Sequence, residues 1–148
     1  MRHIWSVLCS KSVIDKKSNN VSLFDIMEEI HFSSEEPKVE EEVMVTVGPV
    51  PAHWVSLFGR SNIEKPEKVV IKDTIKTPSG KIVGEHESEV DLSVNKRRRI
   101  IRTVPVPPSI EEGVFIFETK MKEKERWKMI SEIPLELILE AKRQTKQK

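Results

Sequence analysis

The sequence predicts an all-β fold: a sandwich of two antiparallel sheets with about seven to nine strands. Hydrophobic and polar residues alternate over most of the chain, which is the period of a strand with one buried face. Turn residues interrupt this alternation roughly every ten positions, a spacing typical of sandwiches and barrels. Amphipathic helical spacing is scarce. We therefore expect residues 1–140 to form a single β-sandwich domain and residues 141–148 a basic C-terminal tail.

The first half of the chain contains four predicted strands. The first is apolar on both faces, which predicts a central strand. The second follows a Ser/Asn turn and has an expected irregularity near Glu28 and Glu29. The polar loop SSEEPKVEEE comes next, and Pro49 and Pro51 end the ladder of the strand that follows it. The predicted ranges are 2–9, 21–32, 42–50 and 52–60.

The second half contains two predicted hairpins and an intervening strand. The tripeptide PSG supplies hairpin chemistry between the first pair of strands. The prolines at 105, 107 and 108 confine the intervening strand to a sheet edge, because proline cannot donate to a ladder. One extra strand is possible after Pro134. The predicted ranges are 68–77, 81–94, 98–108, 113–122 and 126–139.

The register of the first hairpin follows from the need to place its apolar residues on one face. Asp73 then lies opposite His86 on the inner face, and Lys72 lies opposite Glu87 on the outer face. The remaining expected pairs are Thr77–Ile82, Ile75–Gly84, Ile71–Ser88 and Val69–Val90 inside, and Thr74–Glu85 and Val70–Glu89 outside, with Lys76 diagonal to Glu85.

The terminal hairpin has the loop KEKER and the same aromatic-in, charge-out pattern. We expect Phe115, Phe117, Thr119 and Met121 to face Ile133, Ser131, Met129 and Trp127, with Glu118, Lys120, Lys128 and Glu132 outside. The predicted core of the whole domain is Trp5, Val7, Leu23, Val45, Val47, Ile71, Val90, Phe115, Phe117 and Trp127.

Composition narrows the classes of function. The chain has 25 Lys and Arg against 24 Asp and Glu, so its formal charge of +1 gives no overall attraction to nucleic acid or membranes. Cys9 lies in an apolar run, where a small buried hydrophobe is the better interpretation than a reactive thiol. No run approaches the roughly 20 apolar residues of a membrane helix, and the amino terminus does not match a secretory signal. A cytoplasmic location is expected.

The sharpest candidate for chemistry is the pair His86 and Asp73 in the first hairpin. A buried histidine beside a carboxylate could hold one tautomer or tune a base. Its neighbours Glu85 and Glu87 point to the opposite face of the strand, so they cannot converge with His86 on one metal ion. We favour a structural role for the pair. The sequence contains no catalytic motif, no calcium-loop pattern and no zinc-ligand spacing. We therefore expect no enzymatic activity, no cofactor and no metal ion.

Two sets of residues are candidates for binding. Arg97, Arg98 and Arg99 form the strongest basic run, which could bind phosphate, RNA or an acidic partner. Strand alternation separates Arg98 from the other two, and no aromatics interleave, so a nucleic-acid site is not favoured. Trp54 and Phe58 in AHWVSLFG would supply a stacking platform for a carbohydrate or another small ligand if they were exposed.

The order of these patterns resembles an uncharacterised prokaryotic family of small immunoglobulin-like β-sandwich domains. Two stretches carry the resemblance: IWSVLCSKSVIDKKSNNVSLFDIMEEI near the start, and GVFIFETKM with ISEIPLEL near the end. The resemblance implies an immunoglobulin-like antiparallel sandwich and brings no catalytic residues with it. The longer segment GPVPAHWVSLFGRSNIEKPEK departs from the family pattern and leaves strand count and sheet order open.

These observations together predict a non-catalytic cytoplasmic module for binding or assembly, with a protein partner or a second copy of the chain as its target. The alternative is a small-ligand or carbohydrate-binding sandwich that uses Trp54 and Phe58. A less favoured alternative is an enzyme or metal site at His86 and Asp73.

Overall fold

The computed structural model describes residues 1–33 and 49–140. These residues form nine strands and no helix. The strands are β1 (Arg2–Ile14), β2 (Val21–Ile26), β3 (Glu29–Ser33), β4 (Val50–Gly59), β5 (Lys68–Lys76), β6 (Ile82–Asp91), β7 (Arg97–Val106), β8 (Gly113–Glu123) and β9 (Arg126–Glu140). Most of the predicted loop SSEEPKVEEE, most of the predicted strand 42–50 and the predicted tail 141–148 lie outside the described residues.

The strands form two packed sheets, which confirms the predicted β-sandwich. One sheet has the order β2-β1-β4-β7 and the other the order β3-β9-β8-β5-β6. All neighbours are antiparallel except β3 and β9, which run parallel, so the expectation of purely antiparallel pairing is wrong at this point. Across the described strands, β7 ends the four-stranded sheet, which confirms the edge predicted from the prolines. No helix capable of crossing a membrane is found in the described ranges.

The predicted strand 21–32 is divided between the two sheets. The N–H of Met27 still bonds to the carbonyl of Leu8 in β1, whereas the carbonyl of Glu28 already accepts from Glu136 in β9. The chain therefore crosses from one sheet to the other within two residues, close to the expected irregularity. After this crossing, β3 lies beside β9 and runs parallel to β9.

β9 continues through Pro134, so the alternative of an extra strand after that proline is not realised. Glu136 donates its N–H toward β3, and residues two apart in a strand point the same way. The nitrogen of Pro134 therefore points to the same side of β9 as the N–H of Glu136. The pairing with β3 on that side begins only at Glu136, two residues later. The missing donor costs no ladder bond.

The core lies between the sheets in two clusters. Trp54 of one sheet meets Phe117 of the other edge to face, with 5.3 Å between ring centroids. Four residues of the predicted core are buried: Ile71, Val90, Phe115 and Phe117. Three more are only half-buried, namely Trp5, Val7 and Leu23. Val45 and Val47 lie outside the described ranges. Trp5 and Val7 fall on the outer side because Leu8, next to Val7, fills the core. Cys9 is buried, as predicted, and burial raises the pKa of its thiol.

The register of β5 and β6 follows the prediction at every pair except the one nearest the turn. A bulge after Ile75 pairs Lys76, rather than Thr77, with Ile82. Thr77 closes the turn instead, because its N–H donates to the carbonyl of Lys81. Cross-strand charge and a shared apolar face were therefore sufficient to fix this hairpin.

The predicted register of the terminal hairpin is wrong, by two residues from Phe115 to Thr119 and by one residue nearer the turn. β8 and β9 are joined by the two-residue turn Lys124–Glu125, with Lys124 at a φ of 56°, instead of a five-residue loop. Phe117 consequently pairs with Ile133 and not with Ser131.

A bulge between Thr119 and Lys120 also changes the position of Trp127. Trp127 pairs with Lys122 and is half-buried on the outer face, which corrects its predicted place in the core. The Nζ of Lys72 lies 5.1 Å from the centroid of its ring, a cation–π geometry.

Glu118 is a buried carboxylate on this same outer face and is 4% exposed. Lys76 donates to its Oε1, and the Nζ of Lys120 lies 3.2 Å from its Oε2. Burial alone would raise the pKa of Glu118, but the two lysines outweigh it and lower that pKa below its usual 4.5. Folding is therefore stabilised above pH 4.5, and this contribution is lost as the pH falls through the folded-state pKa.

We expect Glu118→Gln to lower the free energy of unfolding by about 1–2 kcal/mol near neutral pH. The difference from the unmodified protein should shrink as the pH falls below 4.5, the usual pKa of this group. Urea unfolding across that range measures it. Glu132→Gln is the matched control, since Glu132 is exposed opposite Glu118. Equal effects of the two variants would contradict the prediction.

Candidate functional site

The main candidate site is a cleft between the edges of the two sheets. Among the described strands, β6 ends the five-stranded sheet and β7 ends the four-stranded sheet. A cleft of about 420 Å³ lies between them. Its walls include five consecutive residues of β7 (101–105) and three consecutive residues of β6 (84–86). Since successive side chains of a strand point to opposite faces, a consecutive lining means that the cleft follows the backbone edges themselves.

The direction of the free backbone groups on β7 follows from two opposed prolines. Pro51 of β4 lies opposite Pro105 of β7. Neither residue has an N–H, so they can only form a non-hydrogen-bonded pair. Such pairs alternate with hydrogen-bonded ones along an antiparallel ladder. The N–H and C=O groups of Ile101 and Thr103 therefore point away from β4, toward the open edge.

The floor of the cleft is apolar and closely packed. Trp54, Ile75 and Val104 are buried there. Gly84 lies directly above this floor, and a Cβ at that position would be 3.3 Å from the Cδ1 of Ile75. The absence of a side chain at residue 84 keeps β6 close to the floor and leaves the cleft open at this point.

A buried ionic network joins the two walls. Asp73 is 6% exposed, and Arg102 of β7 donates from Nε to its Oδ2. Thr119 of β8 donates to the other oxygen, Oδ1, at 2.6 Å. Arg102 also donates from Nη2 to the Oγ of Ser88 in β6 at 2.7 Å. The network therefore connects β7 with three strands of the opposite sheet and fixes the separation of the cleft walls.

The structure pairs His86 with Asp73 in register but does not join them chemically. Asp73 uses its two oxygens for Arg102 and Thr119. The His86 ring is exposed at the rim of the cleft. The expectation that His86 turns inward to a contact with Asp73 is therefore wrong, because the arginine satisfies the carboxylate. No group of three or more metal-ligating side chains occurs within residues 1–33 and 49–140.

The proposed stacking platform is also wrong. Trp54 is 2% exposed and Phe58 is fully buried, so neither ring offers a face to a surface ligand. Both side chains lie on the face of β4 that also contains Ala52 and Ser56, which are buried as well. The Trp54 Nε1–H is shielded and finds no hydrogen-bond partner among the described residues.

The three arginines of the basic run lie in different surroundings. Arg97 and Arg98 are exposed, whereas Arg99 is half-buried and donates from Nη2 to the carbonyl of Asn19 at 3.1 Å. Arg97 lines a small pocket at the end of the four-stranded sheet, away from residues 101–105. A shared binding role for the three arginines stays a prediction.

Arg102 is the functional residue that the sequence analysis missed. A signal was available, because an aspartate within the inner face of β5 needs a cationic or multiple hydrogen-bond partner. Arg102 has the same strand parity as Ile100 and Val104, which pack against the core. The pairing of strands from different sheets, however, is not encoded in local spacing. Thr119 and Ser88 were missed for the same reason.

Comparisons with known proteins give only weak partial alignments with solved structures. No protein-family profile and no curated protein matches the chain. Among solved structures, a glycosyl hydrolase family 2 member from Bacteroides cellulosilyticus DSM 14838 aligns with 14% identity and a TM-score of 0.45. That alignment covers 60% of this chain and 12% of the other. A Bacteroides fragilis chain provisionally assigned as a β-galactosidase aligns with 18% identity and a TM-score of 0.47, covering 62% and 14%.

This chain therefore spans less than a sixth of the length of these larger proteins. Similarity at this level carries no argument about function. The family resemblance inferred from the strand patterns stays a prediction, and the small β-sandwich that it implies is the fold observed.

We expect Asp73→Asn to lower the free energy of unfolding by about 2–4 kcal/mol. The carbamoyl group can accept from Thr119, but its neutral oxygen and its N–H donors cannot compensate Arg102. Denaturant unfolding measures the change, and the double variant with Arg102→Met should lose less than the sum of the single variants. Lys128→Met is the control, since its exposed pair with Glu123 is worth at most about 1 kcal/mol. A loss in Asp73→Asn no larger than in this control would contradict the prediction.

Proposed function

We propose that the chain is a non-catalytic module that binds an extended segment of a partner protein as an added strand on β7. One observation carries the proposal: the cleft follows the backbone edges of β6 and β7 along consecutive residues. A groove of this form presents main-chain donors and acceptors together with side-chain pockets. This combination is what strand addition uses for affinity and specificity.

The edge of β7 supplies the hydrogen bonds in this proposal. Ile101 and Thr103 direct their N–H and C=O groups away from β4, and no other described strand pairs with this edge. Pro105 lacks the N–H at the next outward position, so it limits the docking edge to a short stretch. The bound segment would therefore be short, with few main-chain bonds.

The walls of the cleft define the chemistry of the segment. Ile75, Val104 and Pro105 offer apolar contact, and the charge of Arg102 is already compensated by Asp73. At the rim, Glu85 is 3.4 Å from the Nζ of Lys72. A segment with one or two apolar side chains facing the cleft and no required charge fits these surroundings best.

The non-catalytic part of the proposal is supported by the same contacts. Asp73 is the carboxylate in this region that would be considered first as a general base. It accepts hydrogen bonds from Arg102 and Thr119 and is almost completely buried. A proton taken from a substrate would remove the negative charge that compensates Arg102, which makes Asp73 a poor general base. A cytoplasmic location stays a prediction.

Binding of a small ligand in the same cleft is the second candidate. Its volume of about 420 Å³ lies within the usual range for small-molecule sites. The two candidates differ in which groups they use, because a small ligand would contact side chains and a peptide would require the β7 backbone. A substitution that removes one backbone donor therefore separates them.

Thr103→Pro removes the outward N–H of β7 without breaking its ladder with β4, because Thr103 is two residues from Pro105. Thr103→Val is the matched control that keeps this N–H. We would select binders from a displayed library of random decapeptides on the unmodified protein. We expect Thr103→Pro to weaken them at least about tenfold, the value of one hydrogen bond, and Thr103→Val to leave affinity within about twofold.

Hydrogen exchange gives an independent measurement, since bound peptide should protect the amides of Ile101 and Thr103. Circular dichroism and thermal unfolding check that Thr103→Pro is folded. Peptides that bind Thr103→Pro as tightly as Thr103→Val would overturn strand addition and favour side-chain binding. A selection that enriches no peptide would overturn the proposal as well.

A further inference from the structure

A second pocket, of about 150 Å³, lies at the end of the four-stranded sheet where β1, β4 and β7 meet. Seven residues line it, and four of them are positively charged: Arg2, Arg60, Lys96 and Arg97. None of these seven residues, all from the described part of the chain, is an aspartate or glutamate. A pocket whose walls are this strongly cationic raises the local potential for anions.

The register explains why the pocket exists. Arg2 of β1 pairs with Gly59 of β4, and Gly59 pairs with Arg97 of β7. The two arginines thus flank a residue that has no side chain. A Cβ at Gly59 would lie 3.1 Å from the Cδ1 of Ile4 and 3.7 Å from the Nε of Arg2. Glycine at this position therefore keeps the space between the two guanidinium-bearing strands open.

Arg60 provides a fixed positive charge in the pocket wall. Its Nε donates to the carbonyl of Leu92 at 2.8 Å, and its Nη atoms donate to the carbonyls of Ile63 and Ser93 at 2.9 Å. Carbonyl dipoles satisfy its donors, and no carboxylate within residues 1–33 and 49–140 pairs with its net charge. The side chain is thus preorganised before a ligand arrives.

The other three cations have no partner of opposite charge within the described ranges. Arg2, Lys96 and Arg97 make no ion pair there. The nearby carboxylate of Glu67 accepts from the N–H of Ser61, and it also pairs with the amino group of Met1 at 2.6 Å. Glu67 itself is not among the described lining residues, so four cations and no carboxylate line the pocket there.

We infer that this pocket binds a compact oxyanion of the phosphate class, either free or as the phosphoryl group of a small organic molecule. Its volume corresponds to about five waters, which is enough for one phosphate with part of its hydration shell. Arginine forks are the preferred donors to such oxygens. A nucleic-acid strand is not favoured, because no aromatic residue lines the pocket for base stacking. The inference is independent of the proposed peptide cleft.

The test is a titration of the full chain with inorganic phosphate and, separately, with glycerol phosphate at constant ionic strength, followed by phosphorus NMR and amide shifts. Arg97→Ala and Arg2→Ala should each weaken binding about tenfold, as expected for one charge-assisted hydrogen bond. Arg98→Ala is the matched control, because it removes the neighbouring exposed charge, which does not line the pocket. Tighter binding of glycerol phosphate than of inorganic phosphate would identify a phosphoryl group as the ligand, and the reverse would identify the free anion.

Three results would overturn the inference. The first is no saturable binding of either phosphate. The second is an equal loss in Arg98→Ala and Arg97→Ala, which would indicate diffuse attraction by surface charge. The third is tight binding of a single-stranded RNA oligonucleotide that Arg2→Ala abolishes, which would make the pocket part of a nucleic-acid site. Lys96→Ala serves as a second pocket variant should Arg2→Ala fail to fold, since Lys96 is exposed.

Discussion

The carboxylate of Asp73 inside the sandwich is the constraint on which the open side of this molecule depends. A buried charge is tolerated only when hydrogen bonds and an opposite charge compensate it. Here the compensation comes from both sheets, since Thr119 belongs to the sheet of Asp73 and Arg102 to the other. The network therefore acts as a clamp that holds β7 at a fixed distance from β5 and β6, and the width of the cleft follows from it.

The two sides of the sandwich are closed in different ways. On the side of β2 and β3, the backbone itself crosses between the sheets, with Met27 bonded to β1 and Glu28 to β9. On the side of β6 and β7, side chains such as Arg102 join the sheets. The side joined by side chains keeps its backbone edges accessible, which is why the candidate docking edge lies on it.

Sequence alone predicted what local rules determine. The β5–β6 register followed from shared apolar faces and from opposite charges across the strands, and it held at all but one pair. The prediction for the terminal hairpin failed because the register of a hairpin depends on the length of its turn. Lys124, which has a positive φ, allowed a tighter turn than expected. The Asp73–Arg102 contact and the parallel strand β3 depend on how the sheets stack, which no local pattern encodes.

The prolines connect fold and proposed function by one physical rule. Pro134 directs its nitrogen to a side of β9 where pairing has not yet begun, and Pro105 faces Pro51 across a non-hydrogen-bonded position. In each case the missing N–H lies where the ladder does not require it. A proline within a strand therefore marks a position at which that side of the strand lacks a hydrogen-bonded partner. On β7 this rule identifies both the free edge and its limit, since the outward donors end before Pro105 and leave those of Ile101 and Thr103 available to a partner strand.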